Sequence, residues 1–182
     1  HRPAEEFRGI ALIDVSRQLS VLIQACFGRR WPLLPVDPDP PPNWLARRLR
    51  RLPPWVGDGY AHAFSDGRHI FLPRHIQASG DAPSEADLLR LMALMLAVRL
   101  GRGSVAYCPT HPVARDLFWA VDGAVVEGFL TMEFPGLTTA MAAARRFARG
   151  SRPSLEALKP RERAVEVMVR RLLEPPPGDV RG

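Results

Sequence analysis

Apolar residues are densest between Ser84 and Leu100, where a helix would keep almost no polar face. Ser84 is a good N-cap, and Asp87 stands three residues later, at the capping-box position. A helix that is apolar all round is buried. The stretch is short for a membrane span and carries Arg90 and Arg99. The pattern therefore predicts a central core helix.

Five further segments have the three- and four-residue spacing of amphipathic helices. We predict a mainly α fold of the α+β kind, with about six helices packed around the central one. In the helix after Pro112 we expect Leu117, Phe118, Val121, Val125, Phe129 and Leu130 to face inward. The five predicted helical segments are 5–27, 43–52, 112–131, 137–148 and 160–173.

Strand signals are confined to the first half of the chain. The β-prone runs 60–64 and 68–72 flank Asp66-Gly67, and this dipeptide between short apolar runs predicts a β-hairpin. Residues 30–36 are a further strand candidate, and 75–83 are predicted as a loop. We expect one domain over 5–173, followed by a Pro-rich linker, 174–182, towards a C-terminal domain outside this sequence.

The chain is basic, with a formal net charge of +6 from 25 basic and 19 acidic residues. Such a balance is compatible with an acidic protein partner or with nucleic acid. An arginine-rich composition can also result from codon usage alone. The positive charge by itself therefore leaves nucleic-acid binding as an alternative and does not make it the favoured interpretation.

One basic cluster is compact enough to consider as a contact surface. It lies between Trp44 and Trp55, and its arginines are able to contact phosphate while the indoles stack on bases. A solvated helix face is the simpler interpretation. The cluster consists of Arg47, Arg48, Arg50 and Arg51.

Catalytic and metal-binding motifs are incomplete. Zinc peptidases share the order of hairpin, buried helix and acid-bearing helix, but they need His-Glu-x-x-His on the buried helix. The stretch 84–100 has no histidine. The order of elements is therefore compatible only with a degenerate zincin-like arrangement that has no metal site. The Asp-x-Ser start at Asp14 lacks the last serine of a von Willebrand factor A metal site, since Gln18 stands there. We expect no catalytic residue, metal or cofactor.

Isolated polar residues have ordinary explanations. His62 and His69 fall on opposite strands of the hairpin, where two imidazoles alone make a weak metal site. Asp122 and Glu127 share a helix, yet their spacing of five does not place them on one face. Cap, salt-bridge or partner contacts are expected of these two acids. The distant cysteines favour free thiols and a reducing, cytoplasmic compartment, and no membrane span is expected.

Several stretches resemble one family in their order and spacing. Residues 66–73 resemble its "DG-x-x-I-x-LP" hairpin, and 99–104 resemble the end of its central helix. Residues 121–127 resemble its "EDaRvE" helix, with Val121 in place of the first acid and Val125 in place of the arginine. The remaining matching pieces are 134–137, 152–153, 164–166 and 170–173.

The family is that of the nitric oxide reductase activation proteins (NorD type) and the related Rubisco-activation adaptors (CbbO type). The resemblance implies a cytoplasmic, non-catalytic adaptor that pairs with a MoxR-class AAA+ ATPase and presents a target complex for remodelling. In that family a von Willebrand factor A domain follows the N-terminal region, so the chain resembles the N-terminal domain alone.

We expect function to lie in protein contacts, with a zinc-peptidase-derived hydrolase and a basic nucleic-acid-binding domain as alternatives. Two surfaces are the favoured contact sites: the arginine cluster and the loop of Phe134, Pro135 and Gly136. The full set of candidate partner-binding residues is Arg47, Arg48, Arg50, Arg51, Asp122, Glu127, Phe134, Pro135 and Gly136.

Overall fold

A computed structural model describes residues 9–37, 63–76, 84–150 and 152–174 of the chain. The described part is mainly helical, which confirms the predicted class. Its five α-helices are α1 (Leu12–Phe27), α2 (Glu85–Arg102), α3 (Pro112–Glu133), α4 (Thr138–Gly150) and α5 (Pro160–Leu172). Short 3₁₀ helices occupy Ser104–Tyr107, Pro135–Leu137 and Leu155–Ala157.

Two small sheets accompany the helices. In the first, β1 (Ile10–Ala11) pairs antiparallel with β5 (His75–Ile76). In the second, β4 (Ile70–Pro73) lies between β2 (Leu33–Val36), which is parallel to it, and β3 (Phe64–Ser65), which is antiparallel.

The hairpin predicted at Asp66-Gly67 is present. Phe64 pairs with Phe71 across it, and their rings stack with centroids 4.5 Å apart. Asp66 Oδ1 accepts hydrogen bonds from the backbone N–H groups of Arg68 and His69 at 2.8 and 2.7 Å. Gly67 has a φ of +91°, a conformation that costs glycine little.

The helix α2 begins where its sequence predicts and runs two residues past the predicted end at Leu100. Ser84 Oγ accepts a hydrogen bond from the backbone N–H of Asp87 at 3.1 Å, as an N-cap does. The helix continues through Arg102 and ends at Gly103, whose left-handed φ of +69° suits a glycine C-cap. The backbone N–H of Ile10 donates a hydrogen bond to the side-chain oxygen Oε2 of Glu85 at 2.9 Å, which attaches β1 to the first turn of α2.

Two clusters of buried side chains draw on different faces of α2. One combines Leu89, Ala93, Leu96 and Ala97 with residues of α1 and β4, namely Leu12, Leu19, Ile23, Ile70 and Leu72. The other combines Leu91, Leu94 and Val98 with Val126 and Leu130 of α3 and Met141 of α4. Leu89, Ala93 and Leu94 are at most 1% exposed. The helix α2 is therefore apolar on both of the faces that pack against neighbouring elements.

Some element boundaries differ from the sequence-based ones. Residues 10–11 form a strand and α1 starts at Leu12, because the backbone there pairs with His75 and Ile76, part of the segment predicted as a loop. The predicted helix 43–52 and the tail beyond Glu174 lie outside the described residues. Within the described part of the chain, no helix is both long and apolar enough to cross a membrane.

Candidate protein-docking groove

The helix α3 has an outward apolar stripe. Val121, Val125, Phe129 and Met132 have exposed fractions of 49, 47, 37 and 71%. Their spacing of four, four and three places them on one face of the helix. We expected Val121, Val125 and Phe129 to face inward, and the structure corrects this, because the inward face consists of Asp122, Val126 and Leu130.

A groove lies beside this stripe, between α1, α2 and α3. Ala97, Val98 and Gly101 of α2 line it, and its aromatic walls come from Phe27, Trp31 and Phe129. The groove has a volume of about 260 Å³. Phe129 belongs both to the groove and to the stripe, so the two form one continuous apolar surface. We call this surface the docking groove; its members are Phe27, Trp31, Ala97, Val98, Gly101, Val121, Val125, Phe129 and Met132.

Two arginines stand at the edge of the docking groove. Arg29, just after α1, and Arg102, in the last turn of α2, both line it and are both exposed. Within the described ranges, neither guanidinium makes a hydrogen bond or ion pair, and no Asp or Glu lines the groove. The groove therefore combines an apolar interior with two positive charges that have no internal counterion.

An aromatic cluster sets the shape of the groove. The Phe27 ring makes edge contacts with Trp31, with centroids 6.4 Å apart, and with Phe134, 6.1 Å apart. Edge-to-face pairs of this kind are favourable and hold the rings in fixed orientations. Phe134 therefore packs inward behind the groove, while Pro135 and Gly136 are exposed. Because Phe134 contacts Phe27, which lines the groove, the predicted contact loop of Phe134, Pro135 and Gly136 lies next to the groove.

Both candidate acids on α3 have internal partners. Asp122 accepts hydrogen bonds from Arg99 Nε at 2.8 Å and Ser104 Oγ at 2.9 Å, one on each carboxylate oxygen. Glu127 Oε2 accepts from Arg145 Nε of α4 at 2.5 Å. The two acids point to different neighbouring helices, as their spacing of five requires. Ser104, the first residue of the 3₁₀ helix after α2, is buried in this arrangement.

The other singled-out groups that the structure describes are His69 and the two cysteines. The His69 ring nitrogen Nδ1 lies 2.8 Å from Asp66 Oδ2, and His69 with the backbone N–H groups of the turn lowers the pKa of Asp66 to about 2. The thiols of Cys26 and Cys108 are free, and burial raises the pKa of Cys26. Among the described residues, no three His, Cys, Asp or Glu side chains are grouped closely enough to hold a metal ion.

The arginine cluster, Arg47, Arg48, Arg50 and Arg51, lies outside the described residues, as does His62. The residues that sequence reasoning missed are Arg29, Trp31 and Arg102. They come from two separate regions of the chain, and no local pattern relates them, so only the packing of α1 against α2 brings them together.

Comparisons of the chain with protein-family models, with curated proteins and with solved structures found no match.

Proposed function

We propose that this chain is a protein-interaction domain that works by contact and not by catalysis. The docking groove is the observation that supports the proposal. Monomeric proteins rarely expose a continuous apolar surface of this kind unless it binds something. The groove is smaller than the about 300–1,000 Å³ of typical small-molecule sites, so it suits one or two side chains of a larger partner.

The finer proposal depends on the sequence resemblance. We propose that the domain belongs to a NorD- or CbbO-type adaptor and pairs with a MoxR-class AAA+ ATPase, which remodels the target complex. The ATPase supplies the chemical energy, while the adaptor positions the target. In this proposal α2 is the organising helix of a zincin-like plan that carries apolar residues where a peptidase would carry its zinc ligands.

Co-purification tests this function. The tagged 182-residue chain is expressed with a MoxR-class ATPase from the same organism, and retention of the ATPase is measured with and without nucleotide. A variant carrying Val125→Asp and Phe129→Asp should retain little ATPase, because two carboxylates in the docking groove oppose burial of an apolar partner.

The matched control places the same charges on another exposed apolar pair. Ile13 and Val21 of α1 are 82 and 57% exposed and lie outside the groove. Ile13→Asp with Val21→Asp should leave retention unchanged. Equal retention by the groove variant and the wild-type chain would reject the docking groove, and absence of ATPase from the wild-type sample would reject the adaptor role.

A further inference from the structure

We infer that the partner segment is an acidic amphipathic helix, which inserts a large apolar side chain between Phe27, Trp31 and Phe129 and pairs its carboxylates with Arg29 and Arg102. The inference deepens the proposed function, since it names the chemistry of what the docking groove binds.

The shape of the surface favours a helix. The stripe from Val121 to Met132 runs along three turns of α3, about 16 Å at 1.5 Å per residue. A partner helix laid along α3 places residues at i, i+4, i+7 and i+11 against such a stripe, the helix-in-groove mode of recognition. The deeper part at Phe129 accepts one anchor residue, and anchors of this kind supply most of the binding free energy.

The charges favour acidic residues on the partner. A guanidinium binds a carboxylate through two parallel N–H donors. Arg29 and Arg102 are exposed and lack internal partners in the described part of the chain, so their donors are available. Among the described residues that line the groove there is no Asp or Glu that would repel a partner carboxylate or compete with it for the two arginines. A basic partner would meet two uncompensated positive charges, which favours the acidic class.

Binding of two designed peptides to the full chain tests the inference. Both are fluorescein-labelled helical peptides of about 15 residues, with Phe and Leu at i, i+4, i+7 and i+11. One carries Glu on its polar face and the other carries Lys. Fluorescence anisotropy should give an affinity for the Glu peptide at least about tenfold higher than for the Lys peptide, with the preference shrinking as salt is raised.

Charge reversal distinguishes the groove from the general positive charge of the chain. Arg29→Glu with Arg102→Glu should weaken binding of the Glu peptide by about tenfold or more. The control reverses Arg17 and Arg171, which are exposed and lie outside the groove, to Glu. Its effect should be small, although the change in net charge is identical. Equal losses in the two double variants would overturn the inference.

A second copy of the chain is the main competing occupant. If light scattering shows a dimer that Phe129→Asp dissociates, the groove is a self-association surface and the inference fails. Equal binding of the Glu and Lys peptides also overturns it. These outcomes are separate from the adaptor role. If the ATPase co-purifies while the peptides fail to bind, only the inference about the groove is lost; if the peptide binds while no ATPase is retained, only the adaptor role is lost.

Discussion

Arg99 Nε donates a 2.8 Å hydrogen bond to Asp122 Oδ2, so a largely buried ion pair joins the end of α2 to the middle of α3. The Arg99 guanidinium also lies 5.0 Å from the Trp119 ring centroid, a cation–π contact. Asp122 shares the buried face of α3 with Val126 and Leu130, whereas Val121 and Val125 are about half exposed. The ion pair and the packing of Val126 and Leu130 together hold α3 in the rotation that exposes the apolar stripe.

Loss of the Asp122 carboxylate should destabilise the fold. Asp122→Ala leaves Arg99, whose side chain is only 17% exposed, without its counterion, and Ser104 without its acceptor. We expect the free energy of unfolding to fall by about 3 kcal/mol, the lower end for a broken buried pair. Urea denaturation measures it. Val121→Ala, next in the chain and 49% exposed, should change it by less than about 0.5 kcal/mol.

Replacing both residues of the ion pair tests whether Asp122→Ala loses stability because it leaves Arg99 buried without a counterion. Arg99→Met with Asp122→Leu removes both charges and keeps apolar volume, which is often close to neutral for a buried pair. The double variant should therefore be more stable than Asp122→Ala. A double variant as unstable as the single one would show that desolvation of the unpaired arginine is not the cause of the loss.

The acid stability of the fold should depend on Glu166. Its side chain is 4% exposed and accepts from Arg152 Nε at 2.9 Å and Arg170 Nε at 3.0 Å. Arg152 is the main cause of a pKa below the usual 4.5, with Arg170 contributing. Because the folded-state pKa is the lower one, this stabilisation is complete above about pH 4.5 and is lost as the pH falls through the folded value.

Glu166→Gln should be less stable than the wild-type chain by about 2 kcal/mol at pH 7, since it loses charge-assisted hydrogen bonds to two partly exposed arginines. The difference should shrink as the pH falls below the usual glutamate value and through the lowered pKa of the folded state, where the wild-type carboxylate becomes protonated. Denaturation curves at several pH values measure this. Glu156→Gln, an exposed acid in the preceding 3₁₀ helix, is the control; a constant difference at every pH would contradict the prediction.

The C-cap of α2 offers a backbone test with a matched glycine. Gly103 has a φ of +69°, which an alanine adopts only at a cost of about 1 kcal/mol. Gly128 lies within α3 with open space where an alanine Cβ would stand, and alanine is favoured there by about 1 kcal/mol. Gly103→Ala should therefore lower the melting temperature and Gly128→Ala should raise it. Shifts of the same sign would contradict these backbone assignments.

The inward and outward faces of α3 should respond differently to truncation. Leu130 is fully buried in the second cluster, so Leu130→Ala should cost about 3 kcal/mol through lost burial and a residual cavity. Met132, two residues later, is 71% exposed, and Met132→Ala should change stability by less than about 0.5 kcal/mol. Similar losses for both variants would mean that the exposed stripe is covered in solution.

The arginine cluster is tested by partner binding. Replacing Arg47, Arg48, Arg50 and Arg51 with Glu should weaken retention of the ATPase or its target, because the cluster would then repel an acidic surface. Circular dichroism should show an unchanged helix content. Retention equal to that of the wild-type chain would remove this cluster from the contact surface.

Local signals in the sequence predicted much of the secondary structure. The Ser84 cap and the Asp-Gly turn each act within a few residues, and the structure places them as expected. The predicted element boundaries were wrong where a segment pairs with residues that are distant in the sequence. Residues 10 and 11 are extended because His75 and Ile76 lie beside them, and no local pattern carries that information.

The sequence by itself determined the mainly helical class and the burial of α2, because a helix without a polar face is stable only when other elements cover it. The tertiary structure decided which side of α3 faces outward. Apolar residues occur on several faces of that helix, so periodicity alone assigned Val121, Val125 and Phe129 inward. The buried contact of Asp122 with Arg99 and the packing of Val126 and Leu130 select the opposite rotation, and packing of α1 against α2 places Arg29 and Trp31 beside Arg102 and Phe129.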